Sequence, residues 1–380
     1  MAFLRNDAIN RVNLHYGVQA LAQGAGGVFY LVFLLRAGLS ILVTLLAMAA
    51  ILAGRFALRP ALVPLAKRWG IKPVLIAGTI GMAAQYPLLA QVRGLDGALA
   101  ALIAVSAVGD VLYWPNFNAY FATVGDVEHR GHQVGAREAL AALAGVVALL
   151  LGAAALITVG PGWTFAAVGL VQALAAVPLF GAPAVAVKAE APGAFKASRR
   201  MALFYATDGW FDACWIYDWQ MALFVSLKTN IAAYGGAMAL AGLVGAGCGL
   251  LIGRRIDAGK GRGAVLIAYG LGVAVVILRA ASLGAPWLAV SANAVGALLI
   301  PVLSPTIGGA TYNLIKASPC ALRFQVGSEA GWDVGCFLAC LTAAAVLSLG
   351  APLGMAILLA LPAIPAGGAL IWRMYAPARA

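Results

Sequence analysis

Long apolar stretches separated by short polar or basic segments run through the whole chain. Residues 139–187 contain no Asp, Glu, Lys or Arg. A single helix of that length would measure about 74 Å at about 1.5 Å per residue, whereas the hydrocarbon core of a bilayer is only about 30 Å thick. Because Gly160-Pro161-Gly162 interrupts the stretch, we predict two membrane spans there.

The same pattern continues along the rest of the chain and predicts about twelve spans. Residues 334–372 form a second long uncharged stretch, broken near Gly350-Ala351-Pro352. The predicted spans are 14–36, 39–58, 73–92, 97–122, 134–158, 163–185, 201–227, 231–253, 263–281, 286–312, 324–348 and 352–372. The fold class predicted from this pattern is an all-α membrane protein.

Composition and charge agree with this prediction. Of the 380 residues, 63% are hydrophobic and 10% charged, whereas water-soluble domains carry about 25% charged residues. With the N-terminus placed inside, all but five of the 25 Lys and Arg fall on the cytoplasmic side. The exceptions are Arg36, Arg93, Lys228 and Arg279 outside, and Arg55 within a span. By the positive-inside rule, both termini are predicted to be cytoplasmic, and the net charge of +12 does not indicate nucleic-acid binding.

Three internal matches indicate that the chain consists of two similar halves. The segment QVGARE begins at Gln133 and QVGSEA begins at Gln325, each at the start of a span. Pro115 and Pro305 are separated by 190 positions, as are Val63 and Gly253. We therefore predict two pseudo-symmetric six-helix halves, 1–187 and 201–380, joined by a cytoplasmic linker at 188–200.

One loop resembles a motif of the major facilitator superfamily (MFS). The segment GRRIDAGKGR, 253–262, is similar to the family pattern Gly-x-Leu-Ala-Asp-Arg-x-Gly-Arg-Arg, with Gly253 and Asp257 on its Gly and Asp. Arg254 and Arg255 supply the basic character. The first-half copy, 63–72, keeps Arg68 but has Lys67 in place of the Asp. The resemblance implies a secondary transporter that works by alternating access, and a gating role for Gly253, Arg254, Arg255, Asp257 and Arg68.

Acidic residues inside the predicted spans are the main functional candidates. A charge at the bilayer centre costs about 2.5–3.5 kcal/mol, so these acids must face a cavity or a partner. Asp208 and Asp212 share one face of the seventh span, and Glu329 and Asp333 share one face of the eleventh. Desolvation penalises the charged form of a carboxyl, which suits proton coupling. We therefore expect proton coupling, or direct binding of a cation, at Asp208, Asp212, Glu329, Asp333 and Asp110.

Polar and aromatic residues on other spans are candidates for a solute cavity. In the first span Gln19, Gln23 and Tyr30 follow the same helical spacing as Asp208, Asp212 and Trp219 in the seventh. Trp215 also lies on this face of the seventh span. Further candidates are Asn116, Asn118 and Asn293. His15 opens the first span and is expected at the membrane surface.

These features predict a proton-coupled transporter of a small solute, as a symporter or antiporter. One alternative is a transporter whose substrate is an organic or metal cation bound by the intramembrane acids. Another is a membrane assembly or delivery factor without transport activity. No Walker loop, serine elbow or zinc signature occurs in the sequence, so neither enzymatic activity nor a cofactor is expected. The expected location is the bacterial cytoplasmic (inner) membrane, and the expected state is a monomer in contact with solute, protons and lipid.

Overall fold

The computed structural model describes residues 6–125, 130–256 and 261–375. Within this part of the chain all regular structure is helical. The twelve predicted spans correspond to helical segments, in order Asp7–Arg36, Ile41–Leu58, Ile71–Leu89, Gly97–Val124, Arg130–Thr158, Pro161–Phe180, 194–226, Ile231–Ile256, Gly261–Ala281, 286–317, Ala321–Ser348 and Leu353–Met374. The chain is thus an integral multi-pass membrane protein with two pseudo-symmetric six-helix halves.

Ten of these segments are long and apolar enough, by length and composition, to cross a membrane. The other two are the third span, Ile71–Leu89, and the seventh span, 194–226. The seventh span has lower hydropathy because it carries Asp208, Asp212 and Asp218 within its length. The span least suited to lipid is therefore the one richest in candidate functional residues.

The boundaries differ from the sequence prediction by a few residues at most ends. The largest shifts are at the first span, which begins at Asp7 rather than at 14, and at the seventh span, which begins at Ala194, inside the segment 188–200 predicted as a linker. Residues 181–193 form the connection between the halves. It packs on the first half, since the Tyr120 hydroxyl donates to the Pro183 carbonyl at 2.6 Å. The division at 188–200 itself stays a prediction.

The first span of each half is interrupted near its middle. In the first half, a 3₁₀ turn at Gly27–Phe29 separates two α-helical parts. In the second half, a π-helical turn at Ala213–Asp218 occupies the corresponding part of the seventh span. Both interruptions break the regular backbone hydrogen-bond ladder, which locally frees carbonyl groups for other partners.

The seventh and eleventh spans pack closely through a seam of glycines. A Cβ on Gly331 would collide with the Ala202 carbonyl, and a Cβ on Gly335 with the Ala206 carbonyl. The first and fifth spans meet in a similar way, since a Cβ on Gly152 would collide with the Ala25 carbonyl. Small residues at four-residue spacing let the backbones of neighbouring helices approach. We call the contact at Gly331 and Gly335 the glycine seam.

Candidate functional site

Five charged residues from three spans meet at the boundary between the halves. Arg55 and Arg59 come from the end of the second span, and Glu329 and Asp333 come from the eleventh. Asp110 comes from the fourth span. We call these five residues the ion cluster. It joins the first half, which supplies both arginines and Asp110, to the second half, which supplies the other two carboxylates.

Asp333 is the centre of the ion cluster. Arg55 Nη2 lies 3.1 Å from Asp333 Oδ1, and Arg59 Nε donates a hydrogen bond to Asp333 Oδ2. Arg55 Nη1 also lies 3.6 Å from Asp110 Oδ2, and Arg59 Nη1 lies 3.8 Å from Glu329 Oε2. The Glu329 carboxylate accepts a further hydrogen bond from Asn118 Nδ2 at 2.9 Å.

Helical spacing explains why these side chains meet. Arg55 and Arg59 are four positions apart, as are Glu329 and Asp333, so each pair lies on one face of its helix. The second span continues from Leu58 into a 3₁₀ turn, Arg59–Ala61, which keeps Arg59 beside Arg55. The side chain of Arg59 is 3% exposed and that of Asp333 is 0% exposed, so both charges depend on each other for neutralisation.

The hydrogen bonds of the ion cluster are incomplete. Arg55 Nε and both Nη atoms of Arg59 are buried without a hydrogen-bond partner in the described part of the chain. Three carboxylates face two guanidinium groups. A buried network with unmet donors and unequal charge is costly, so small changes in protonation or contact can shift it toward another arrangement.

Trp332 links the ion cluster to the seventh span. Its Nε1 donates a hydrogen bond to Asp212 Oδ2 at 2.9 Å, while the guanidinium carbon of Arg55 lies 5.0 Å from the centre of its ring. Asp212 therefore belongs to the same neighbourhood as Asp333, on the other side of the indole.

Asp208 lies elsewhere, inside the second half. It lines a cavity of about 10 Å³ together with Thr207, Phe211, Tyr269 and apolar residues of the tenth and twelfth spans. This volume holds about one water molecule. In the described part of the chain the Asp208 carboxylate has neither a hydrogen bond nor an ion pair. Asp208 thus lies apart from Glu329 and Asp333, but it is close enough to Asp212 for the two carboxylates to repel each other.

The predicted cavity residues of the first half take part in hydrogen-bonded chains. Tyr113 donates to Gln19 Oε1 and also contacts His15 Nε2 at 2.9 Å, while His15 Nδ1 lies 2.7 Å from the Ala175 carbonyl. His15 is fully buried in the protein, and the hydrogen bonds of both ring nitrogens explain its burial. Its expected depth at the membrane surface stays a prediction.

Other first-half candidates are similarly engaged. Tyr86 donates to Gln23 Oε1 at 3.5 Å. The hydroxyl of Tyr30 lies 3.3 Å from Ser106 Oγ. Asn116 donates to the Leu112 carbonyl at 2.8 Å, but its buried Oδ1 has no partner in the described part. A role of these side chains in solute binding stays a prediction.

The second-half candidates Trp215, Trp219 and Asn293 join helices to one another. Trp219 Nε1 donates to Asn293 Oδ1 at 2.9 Å, and Asn293 Nδ2 donates to the Ala237 carbonyl at 3.0 Å. Arg279 lies 3.7 Å from the ring centre of Trp215 and 4.7 Å from that of Trp219. Its Nη1 donates to the Trp215 carbonyl at 3.0 Å, within the π-helical turn. These three residues remain candidates for the cavity, with established packing roles.

The predicted gating residues are described only in part. Asp257 lies outside the described residues, and for Gly253, Arg254 and Arg255 only the backbone is described, as the end of the helix Ile231–Ile256. Arg68 lies exposed in a short helix, Leu62–Trp69, that follows the second span. The gating role of these residues stays a prediction.

Sequence reasoning missed two arginines. Arg59 was counted among the cytoplasmic loop charges, one residue beyond the predicted end of the second span, and Arg279 among the external ones. Both are buried. For Arg59 a signal was present, since it follows Arg55 by one helical turn, as Asp333 follows Glu329.

The chain has the fold of the MFS transporters. The human organic anion transporter MFSD10 (TETRAN) superimposes with a TM-score of 0.65 at 16% identity, over 97% of this chain and 98% of that chain.

Two structures of the transporter FucP are also similar. A variant of the Escherichia coli fucose:proton symporter FucP superimposes with a TM-score of 0.66 at 14% identity, over 97% of this chain and 98% of that chain. A structure of FucP in the outward conformation gives a TM-score of 0.65 at 13% identity, with the same coverage. No protein-family model and no curated protein matches the sequence.

Proposed function

We propose that the protein is a secondary active transporter that moves a small solute by alternating access. The observation that carries this proposal is the ion cluster, because it crosses the boundary between the halves. Transport by alternating access needs contacts between the halves that form in one state and break in another. Arg55 and Arg59 with Glu329 and Asp333 have the geometry of such a contact.

Energetics favour a switching role over a purely stabilising one. Taking charges out of water costs several kcal/mol per ion, and a buried ion pair often stabilises a fold no more than apolar packing would. The ion cluster also leaves three guanidinium nitrogens without hydrogen bonds. Such a contact is poorly suited to permanent closure and well suited to exchange of partners.

The charge balance of the ion cluster supports the proposal that transport is coupled to protons. If one carboxylate takes up a proton, its arginine loses a partner and the tie between the halves weakens. Asp333 contacts both arginines, so its protonation has the largest effect. Asp212 is connected to the same place through Trp332, which makes it the second candidate for carrying the proton.

The alternative of a cation bound directly by these acids has weaker support. In the part of the chain that the structure describes, no group of three or more His, Cys, Asp or Glu is arranged to hold a metal ion. Glu329 and Asp333 already pair with arginines. The Asp208 carboxylate borders a cavity with room for about one water molecule, which is too small for an organic cation.

Reconstitution into proteoliposomes tests the proposal. Uptake of a solute panel is measured with and without an imposed proton gradient. Sugars and organic anions come first, because the solved structures with this fold include a fucose:proton symporter and an organic anion transporter. Gradient-driven accumulation of a solute, lost in Asp333→Asn, supports the proposal.

The matched control is Asp218→Asn. Asp218 is another buried acid of the second half, 1% exposed, and it is outside the ion cluster. It should retain accumulation. Equal accumulation by Asp333→Asn and the wild-type protein would contradict the proposal, as would equal loss in both variants.

A further inference from the structure

A groove of about 440 Å³ opens where the two halves meet on the predicted cytoplasmic face. Val63, Pro64, Lys67 and Arg68 line it from the short helix after the second span, and Arg323 lines it from the start of the eleventh. The first half thus supplies four of the lining residues and the second half supplies Arg323. A ligand in this groove would contact both halves at once.

The charge of the groove is entirely positive. Three of its five lining residues are cations, and no acidic side chain lines it among the described residues. Glu190, in the adjoining connection 181–193, forms no ion pair with them in the described part. Lys67 occupies the motif position at which the family pattern has Asp, so the one position expected to supply a negative charge supplies a positive one.

Arg323 is held by a hydrogen bond to the backbone, but not all of its hydrogen-bond donors have a partner in the described part of the chain. Its Nη2 donates to the Ala189 carbonyl at 2.8 Å, which attaches the side chain to the connection between the halves. Its Nε is buried without a hydrogen-bond partner in the described part of the chain. The guanidinium group therefore keeps hydrogen-bonding capacity that the protein does not use.

Aromatic and apolar side chains place the groove at the membrane surface. Trp69, next to Arg68, is 54% exposed, and Phe56 near the end of the second span is 49% exposed. Exposed apolar residues on a membrane helix face lipid, and Trp is enriched at the level of the headgroups. Lys67 and Arg68 are therefore expected at the depth of phospholipid phosphates.

We propose that this groove binds the phosphate of an anionic phospholipid headgroup and thereby bridges the two halves. Basic pockets between membrane helices on the cytoplasmic side are suited to such headgroups. Because Arg323 and Lys67 belong to different halves, a bound headgroup favours the arrangement in which their helices are close. This binding is separate from the transported solute and does not depend on the proposed function.

Lipid retention by the full-length protein tests the proposal. The protein is purified in detergent, exposed to mixed micelles of phosphatidylglycerol or phosphatidylcholine, and retained lipid is measured by mass spectrometry alongside the unfolding temperature. Wild type should retain phosphatidylglycerol selectively and unfold at a higher temperature with it. Lys67→Gln with Arg323→Gln should lower retention by about fivefold for each cation removed.

The control variant combines Lys196→Gln with Arg199→Gln, two exposed cations outside the groove on the same predicted face. It should retain lipid like the wild type. Equal retention by the groove variant, or equal loss in the control, would overturn the proposal. So would full stabilisation by inorganic phosphate alone with no added effect of lipid, since the groove would then serve a soluble anion. None of these readouts measures transport, so their failure is distinct from a failure of the proposed function.

Discussion

Trp332 donates its indole N–H to the Asp212 carboxylate at 2.9 Å, and the two residues come from the closely packed eleventh and seventh spans. The same indole ring faces Arg55 of the first half. One side chain is therefore in contact both with a candidate proton carrier and with the ion cluster. A change at Asp212 can reach the boundary between the halves through this single residue.

Trp332→Phe separates these two contacts. The phenyl ring keeps a face for Arg55 but has no N–H for Asp212, and a hydrogen bond to a charged group contributes about 1.5–3 kcal/mol. We expect reduced proton-driven accumulation in proteoliposomes and a free energy of unfolding that is lowered by no more than this amount. Trp332→Leu, which removes both contacts, should have a larger effect. Unchanged accumulation in both variants would remove Trp332 from the coupling path.

Asp333→Asn should separate proton coupling from solute exchange. We expect Asp333→Asn and Asp212→Asn to abolish proton-driven accumulation while preserving exchange of labelled solute across the liposome membrane, because an amide cannot carry the proton. Loss of solute binding in both variants would instead favour a cation substrate held by these acids. Full accumulation in both would defeat the assignment.

The ion pair between Arg59 and Asp333 should give a measurable coupling energy in a double-mutant cycle. Removing one partner of a buried ion pair costs about 3–5 kcal/mol, so Arg59→Gln and Asp333→Asn should each lower the free energy of unfolding strongly. The double variant should lose less than the two single losses combined, by about 0.5–3 kcal/mol. Chemical unfolding of the four proteins in detergent measures this difference, and strict additivity would argue against the contact.

Asp208→Asn should behave differently from Asp333→Asn. The Asp208 carboxylate has no ion pair in the described part of the chain and faces a mainly apolar cavity, so its replacement removes no attraction. We expect an unfolding temperature equal to or above that of the wild type. A loss as large as that of Asp333→Asn would show that Asp208 has a partner in the folded protein.

The glycine seam provides a test of the packing. Gly331→Ala should destabilise the protein by about 1–3 kcal/mol, because the added methyl group meets the Ala202 carbonyl. Gly270→Ala is the matched control, since a Cβ there meets nothing within 4 Å and alanine favours the helix. Equal stability of the two variants, measured by thermal unfolding, would contradict the close approach of the seventh and eleventh spans.

The sequence predicted the spans well because hydrophobic length and Gly-Pro breaks are local properties. Asp212, Glu329 and Asp333 could also be selected from the sequence, since an acid within an apolar stretch is expensive wherever it lies. Their partners could not be assigned, because the pairing of Arg59 with Asp333 joins residues 274 positions apart. That pairing depends on how the second and eleventh spans cross, which is a property of the assembled helices.

Asp208 is a second case in which the sequence does not give the neighbours of a residue. Helical spacing placed Asp208 and Asp212 on one face of the seventh span, and one face was taken to mean one environment. Four positions along a helix correspond to about 6 Å, so the two carboxylates still repel each other. Over that distance the hydrogen-bond donor Trp332 beside Asp212 gives way to a mainly apolar cavity beside Asp208. Periodicity identifies the face of a helix but not the helices that cover it.

The glycine seam also limits which contacts can change in the proposed transport cycle. Where two backbones are in direct contact, no flexible side chains lie between them that could adjust when one helix slides or tilts against the other. The seventh and eleventh spans should then move together as one rigid unit. Asp212 and Trp332 both belong to this unit. The contacts that can rearrange are then the ion pairs at the surface of this unit. There Asp333 and Glu329 can release the arginines of the second span, and water can replace them.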